Sequence, residues 1–247
     1  MTKISCILPA YNEAPRIGAV LERVLGHPQI AEVIVIDDGS SDGTAEIAEG
    51  YRAAHPHLRV LRQTQNGGKT AAVAAGIAEA AGTHLMLLDS DLLGLTHSDL
   101  GALIAPVANG EADVTISLRR NAPRIWRVIG LDYISGERVI PREMLGTRLE
   151  ALNALPRFGL EVFMNRLWIG ARARIAVVAW PGVDSPMKSA KLGNWRAGVA
   201  ADARMIRDIF RTIAPHRALG QIVAMRRLRV PAQVQTLPRK GLERIAR

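Results

Sequence analysis

The tripeptide Asp89-Ser90-Asp91 closes the apolar run Leu85-Met86-Leu87-Leu88. Two carboxylates one residue apart point the same way in extended backbone and can share one cation. Hard oxygen ligands suit Mg2+ or Mn2+, and such ions keep positions open for phosphate oxygens. A second acidic strand end, Val33-Ile34-Val35-Ile36-Asp37-Asp38-Gly39, lies about fifty residues upstream. A carboxylate at Asp38 can accept a hydrogen bond from a nucleobase N–H or a ribose hydroxyl. The plainer use for acids here is to cap the helix that follows, which suits Ser41 and Asp42. Two acidic strand ends at one rim of a sheet suggest a nucleotide and its metal.

Two further segments carry chemistry. Pro9-Ala10-Tyr11-Asn12-Glu13 ends the first apolar run. Tyr11 is suited to cover a base, and Glu13 is either a site residue or an acid favoured near a helix start. Asn66-Gly67-Gly68-Lys69-Thr70 opens a helix, so its glycines and Lys69 form either a phosphate cradle or a tight turn. It is not a Walker A loop, because the first glycine of that motif is missing from the residues before Gly68-Lys69.

The elements that must hold these residues alternate. Apolar runs at Ile4 to Leu8, Val33 to Ile36, Leu58 to Leu61 and Leu85 to Leu88 read as buried strands. Between them, Ala14 to Leu25 places Ile17, Val20, Leu21, Val24 and Leu25 on one helical face. Helices through Ala45 to Ala48 and Lys69 to Ala81 follow, the second closed by Gly82. This order predicts an α/β fold, a mostly parallel sheet flanked by helices, with ligands beyond the carboxyl ends of its strands. Later come a strand over Asp113 to Ser117, a turn and short strand over Ile134 to Pro141, and a helix over Arg142 to Leu149. A helix from Phe158 to about Ile169 and a strand over Ile175 to Trp180 complete that stretch. Asn194 to Ile213 reads as a basic amphipathic helix, and the residues after Pro231 as a basic tail.

Composition narrows the function classes. Of 247 residues 48% are hydrophobic, enough for a real core, and 4% are aromatic, too few for stacking platforms for single-stranded nucleic acid. The single cysteine, Cys6, excludes an internal disulfide framework. No export signal and no apolar stretch near ~18 residues is present, so a cytoplasmic location is expected. The net charge of +9 is unevenly spread: residues 1–118 carry 7 Lys+Arg and 14 Asp+Glu, residues 119–247 carry 25 and 9. An acidic half that holds a metal and a basic half that meets an anion is the simplest reading.

Taken in order, Ile7-Leu8-Pro9-Ala10-Tyr11-Asn12-Glu13, Val35-Ile36-Asp37-Asp38-Gly39-Ser40-Ser41-Asp42-Gly43-Thr44, Asn66-Gly67-Gly68-Lys69 and Asp89-Ser90-Asp91 resemble the family 2 glycosyltransferases of GT-A fold. The style is that of dolichyl- or polyprenyl-phosphate sugar transferases, over residues 1–118 and more loosely to about 180. The resemblance implies a nucleotide-sugar donor, UDP- or GDP-linked, a divalent ion (Mg2+ or Mn2+) and usually inversion at the anomeric carbon. It puts the base-binding acid on Asp38, nucleotide contacts on Pro9 and Tyr11, and the metal motif on Asp89 and Asp91. Ser135-Gly136-Glu137-Arg138 is similar to a Ser-Gly-Phe-Arg segment whose Arg faces phosphate, with Glu137 in place of the aromatic. Arg119 and Arg120 match a basic stretch after the corresponding strand. Glu161 falls near the base of relatives that modify hydroxyls. Lys188 and Lys191 resemble a lysine-bearing loop.

The implied division is a donor- and metal-binding half over 1–118, an acceptor-binding half over 119–193 and a basic, helical extension over 194–247. With a lipid-phosphate acceptor, Arg119, Arg120, Arg138 and Lys188 would hold the anion. With a hydroxyl acceptor, Glu161 would be the base. Residues 194–213 would lie on an anionic membrane as a peripheral contact. Three other classes compete: a sugar-nucleotide pyrophosphorylase, which expects a Gly-rich Arg/Lys signature absent near Pro9; a nucleic-acid-binding module, which leaves the acidic strand ends unexplained; and an inactive relative, which would lack the Asp pair.

Overall fold

The computed structural model describes residues 2–155, 159–186, 207 and 212–231. Four strands form the amino-terminal part of the sheet: β1 (Ile4–Ala10), β2 (Ile30–Asp37), β3 (Leu58–Arg62) and β4 (His84–Leu87). Between and after them lie α1 (Ala14–Leu25), α2 (Thr44–Gly50), α3 (Lys69–Glu79) and α4 (His97–Ala108). Then follow β5 (Val114–Arg119), α5 (Arg124–Ile129), β6 (Arg138–Pro141), α6 (Glu143–Gly146), α7 (Leu149–Asn153), α8 (Gly159–Gly170) and β7 (Ile175–Trp180). The last described elements are α9 (Pro215–Arg227) and β8 (Arg229–Val230).

All eight strands join one sheet in the order β3-β2-β1-β4-β6-β5-β7-β8. Only β6 runs antiparallel to its neighbours, with Leu87 opposite Arg138 and Ile116 opposite Arg138 on the other side. The parts before and after residue 118 therefore interleave, because β6 is inserted between β4 and β5. Since β6 is antiparallel to both β4 and β5, those two end on the same rim. Asp89 and Arg119 are thereby brought to one edge although thirty residues apart in sequence.

Side chains alternate across the strands and feed two cores. On β1, Cys6 and Leu8 face the core under α1 and α4, while Ile7 faces the core under α3 and α8. Helix α1 buries Ile17, Val20, Leu21, Val24 and Leu25, the face that its spacing predicts. Helix α4 starts with a capping box in which Thr96 and Asp99 each satisfy the other's backbone N–H. Burial of this continuous apolar surface is the main force holding the strand ends in place. Among the described residues no helix is long and apolar enough to cross a membrane.

Candidate active site

Strand β4 ends in the core and delivers Asp89, Ser90 and Asp91 to the rim. Ser90 is 4% exposed and turns inward, its hydroxyl donating to the Pro9 carbonyl at 2.9 Å, which ties the end of β4 to the end of β1. The flanking carboxylates line a cavity of about 240 Å³ with Pro9, Ala10, Tyr11, Glu13, Asp38 and Lys69. The four segments singled out in the sequence thus meet at one place.

The two carboxylates differ. Asp89 Oδ1 lies 2.6 Å from Lys69 Nζ. Burial opposes its charge, but Lys69 and Arg119 outweigh that and hold its carboxyl below the usual range. Asp91 has no such partner, and its buried Oδ1 accepts no hydrogen bond. Burial, then the negative charges of Asp89 and Glu13, push its carboxyl up to about 6. A buried carboxylate oxygen without a donor is costly, and a cation bound there would remove the cost. The donor set fits a hard divalent ion. Among the described residues no group of three or more His, Cys, Asp or Glu is arranged to hold a metal.

Lys69 begins α3 and also stands 3.7 Å from Glu161 Oε1, on the first turn of α8. Burial works against its charge, yet the two carboxylates raise the ammonium above its ordinary value. Asp38 is 3% exposed, and its two oxygens accept from the backbone N–H groups of Gly67 and Gly68 at 2.8 and 2.9 Å. Asp38 therefore shapes the glycine turn before α3 while lining the cavity. Gly39 is needed for this, since a β-carbon there would lie 2.9 Å from the Asn66 nitrogen. The loops after β1 and β2 are laced as well: Asn12 N–H donates to Ser40 Oγ, Ser41 N–H to Asn12 Oδ1 and Glu13 N–H to Thr44 Oγ1. Glu13 pairs with Arg16 at 2.6 Å, and Tyr11 is half exposed at the mouth.

The expected acceptor residues do not all converge. Arg138 is fully buried: it donates to the carbonyls of Ser135 and Tyr133 and to Asn165 Oδ1, and its guanidinium stacks 4.7 Å above Trp168. It faces the core, because the Glu137-Arg138 step enters strand β6 and alternation turns Arg138 away from the cleft. Its expected place against phosphate is corrected accordingly. Burial lowers its guanidinium to about 10, against the pull of Glu161, Asp132 and Glu137. Arg120 is exposed and forms an ion pair with Asp184. Arg119 is largely buried and does not line the cavity: it lies 3.1 Å from Glu137 and 3.7 Å from Asp132, and its charge is felt by Asp89 and Asp91. Glu161 is 5% exposed, so the candidate base is shut in beneath Lys69. Lys188 and Lys191 lie outside the described residues, as does nearly all of the helix expected over 194–213.

Sequence reasoning missed Gly136 and Asp132. A β-carbon on Gly136 would stand 2.7 Å from both Asp89 Oδ1 and Lys69 Nζ. Asp132 is fully buried and pushed up to about 6 by burial, despite Arg119. Neither sits in a pattern that spacing alone could mark.

Over 94 residues the chain is 39% identical to a dolichyl-phosphate beta-glucosyltransferase of Trichomonas vaginalis, which covers 34% of this chain and 28% of that protein. Over 124 residues it is 32% identical to a dodecaprenyl-phosphate galacturonate synthase of Rhizobium johnstonii, covering 48% and 36%. The matched stretch thus spans well under half the length of either relative. Among solved structures, a mannosyltransferase from Pyrobaculum calidifontis in complex with GDP-Man and Mn2+ superposes with a TM-score of 0.66 at 19% identity, covering 92% of this chain and 70% of that one. Glucosyl-3-phosphoglycerate synthase from Mycobacterium tuberculosis, in complex with Mn2+, UDP-glucose and phosphoglyceric acid, gives 0.61 at 23%, covering 85% and 79%. At such identities the likeness concerns the fold, which is GT-A. The model of glycosyl transferase family 2 matches residues 5–167. The chain belongs to glycosyl transferase family 2.

Proposed function

We propose that this chain is a metal-dependent, inverting hexosyltransferase that moves sugar from a UDP- or GDP-linked donor to a polyprenyl phosphate. The observation that carries the reading is Asp91, whose buried oxygen lacks a partner in a cleft already lined by Asp38, Lys69 and Asp89. Asp89 and Asp91 would hold Mg2+ or Mn2+. Held there, such a cation would supply positive charge to offset the negative charge of the departing diphosphate. Lys69 adds a second positive charge at the same place, supplied from the start of α3. Asp38, Pro9 and Tyr11 would frame the base.

A phosphate acceptor is favoured over a hydroxyl. A phosphate is already an anion at neutral pH and needs no base, whereas the one candidate base, Glu161, is shut in against Lys69. Arg119, whose charge reaches Asp89 and Asp91, would help to hold the incoming anion. The acceptor oxygen would then attack the anomeric carbon from the face opposite the diphosphate.

The test is release of nucleoside diphosphate from a panel of nucleotide-sugars, with Mn2+ or Mg2+, with and without polyprenyl phosphate in detergent. Metal-dependent release that rises with the lipid phosphate, and that Asp91→Ala abolishes, is the expected result. No release from any donor, together with no thermal stabilisation by UDP or GDP plus metal, would sink the reading.

A further inference from the structure

Of the large apolar side chains exposed among the described residues, four stand on two helices. Ile125 and Val128 lie on α5, with Val128 88% exposed; Leu219 and Val223 lie on α9, with Leu219 63% exposed. An isolated exposed valine means little, but four apolar side chains rimmed by like charges mark a contact surface. Arg124 and Arg127 are exposed beside the first pair. Along α9, Leu219, Val223, Arg226 and Arg227 follow at helical spacing on one face, opposite the buried Ala218 and Met225.

The two helices are neighbours. Trp126 of α5 and Ala218 and Met225 of α9 share one buried core on the same face of the sheet. Tyr133, which packs on Trp126 at 5.8 Å, donates its hydroxyl hydrogen bond to Gln221 of α9 at 2.7 Å. At the far end of α5, a β-carbon on Gly130 would touch the Arg229 guanidinium at 3.0 Å. Neither residues 120–131 nor residues 212–231 contain a single Asp or Glu. Arg124, Arg127, Arg217, Arg226, Arg227 and Arg229 are all exposed and make no ion pair among the described residues.

We propose that the α5–α9 face is the surface by which this chain docks on an anionic lipid bilayer. Exposed aliphatic side chains enter the headgroup boundary, and acid-free arginines meet the lipid phosphates. A folded protein partner would leave the lack of any acid unexplained. Nucleic acid would leave the aliphatic side chains unexplained. Helix α5 starts five residues after Arg119, at the rim where Asp89 and Asp91 stand, so docking there keeps the cleft beside the headgroups. The proposal rests on and deepens the lipid-phosphate reading, and it adds α5 and α9 to residues 194–213 as the contact.

The experiment is co-sedimentation of the full chain with vesicles of phosphatidylcholine, alone or with about a third phosphatidylglycerol, in the absence of any donor or acceptor. Binding is thus read without turnover, and it fails or succeeds independently of the transferase reading. Wild type is expected to bind the anionic vesicles only. Combined Val128→Asp and Leu219→Asp should weaken binding at least tenfold, and each of Arg124→Ala, Arg127→Ala and Arg226→Ala about fivefold. All these positions are exposed, so melting temperatures should stay at the wild-type value. Failure of wild type to bind, undiminished binding by the double variant, or retention on DNA with none on vesicles would each overturn the proposal.

Discussion

Gly136 presses directly on Asp89: a β-carbon at 136 would lie 2.7 Å from Asp89 Oδ1 and 3.0 Å from Oδ2. The segment entering β6 thus forms the back wall behind Asp89, with Lys69 wedged in the same corner. A contact of that length must move something, and here what moves is the Asp89 carboxylate and the Lys69 ammonium.

From this follows the first prediction. Gly136→Ala should cost activity far more than stability, because it displaces charged groups at an open cleft rather than packed core. Turnover of nucleotide-sugar is expected to fall about a hundredfold, as for misplacement of a reacting group by an ångström. The melting temperature should move by no more than a few degrees. Equal turnover in the two proteins would show that the corner yields without consequence.

Asp91 gives the second. Its oxygen lacks a partner, and Asp89 repels it. Asp91→Asn removes the repulsion and the binding charge together. The variant is expected to match or exceed wild type in melting temperature without metal. It should lose the stabilisation that Mn2+ with a nucleoside diphosphate gives wild type, which at a hundredfold excess over Kd amounts to about 2.7 kcal/mol. Differential scanning fluorimetry reads both effects at once.

How much of this was legible in the sequence depends on the range of the interaction. Helix α1 was readable because its five buried residues recur at helical spacing, and the strand ends because Asp37 and Asp89 follow apolar runs. The meeting of Asp38, Lys69, Asp89 and Tyr11 followed from parallel strands ending on one rim. The place of β6 was not readable, since antiparallel insertion between β4 and β5 is a choice between distant partners. Arg138 was misread for that reason: its type suggests phosphate, but its register in β6 faces it to Trp168 and Asn165. Helix α9 was missed because its mean hydropathy is low and its apolar face is divided between buried Ala218 and Met225 and exposed Leu219 and Val223.

The third prediction concerns that arginine. Arg138 has no exposed surface, and its donors satisfy two carbonyls and Asn165. Arg138→Ala leaves those acceptors unpaired and opens a void beside Trp168, so a loss of about 3–5 kcal/mol is expected. Chemical denaturation should show it as a lower midpoint with an unchanged slope. Arg138→Lys should recover little, because one ammonium cannot reproduce the planar fork. If Arg138 instead served the acceptor, the alanine variant would keep its stability and raise the KM for lipid phosphate.

The last prediction is a pH dependence of stability at Asp132. Its carboxyl is fully buried and pushed up to about 6, first by burial and then by Glu137, with Arg119 only partly offsetting them. The folded state therefore holds its proton more tightly than the unfolded chain, whose carboxyl titrates near 3.9. Below about pH 4 both states are protonated and Asp132 is neutral to stability. As pH rises from about 4 to about 6 the unfolded chain gains by ionising first, so stability falls; above about 6 the loss is complete. A raised value of this size corresponds to roughly 3 kcal/mol at most. Asp132→Asn has no proton to lose, so its stability relative to wild type should climb across that window and then level off. Arg119 keeps Glu137 at 3.1 Å in the variant, so its charge is not stranded. Urea midpoints of the two proteins at pH 4, 5, 6 and 7 measure the difference directly. A constant difference across the series would mean that Asp132 stays ionised in the fold, paired with Arg119 more strongly than burial opposes it.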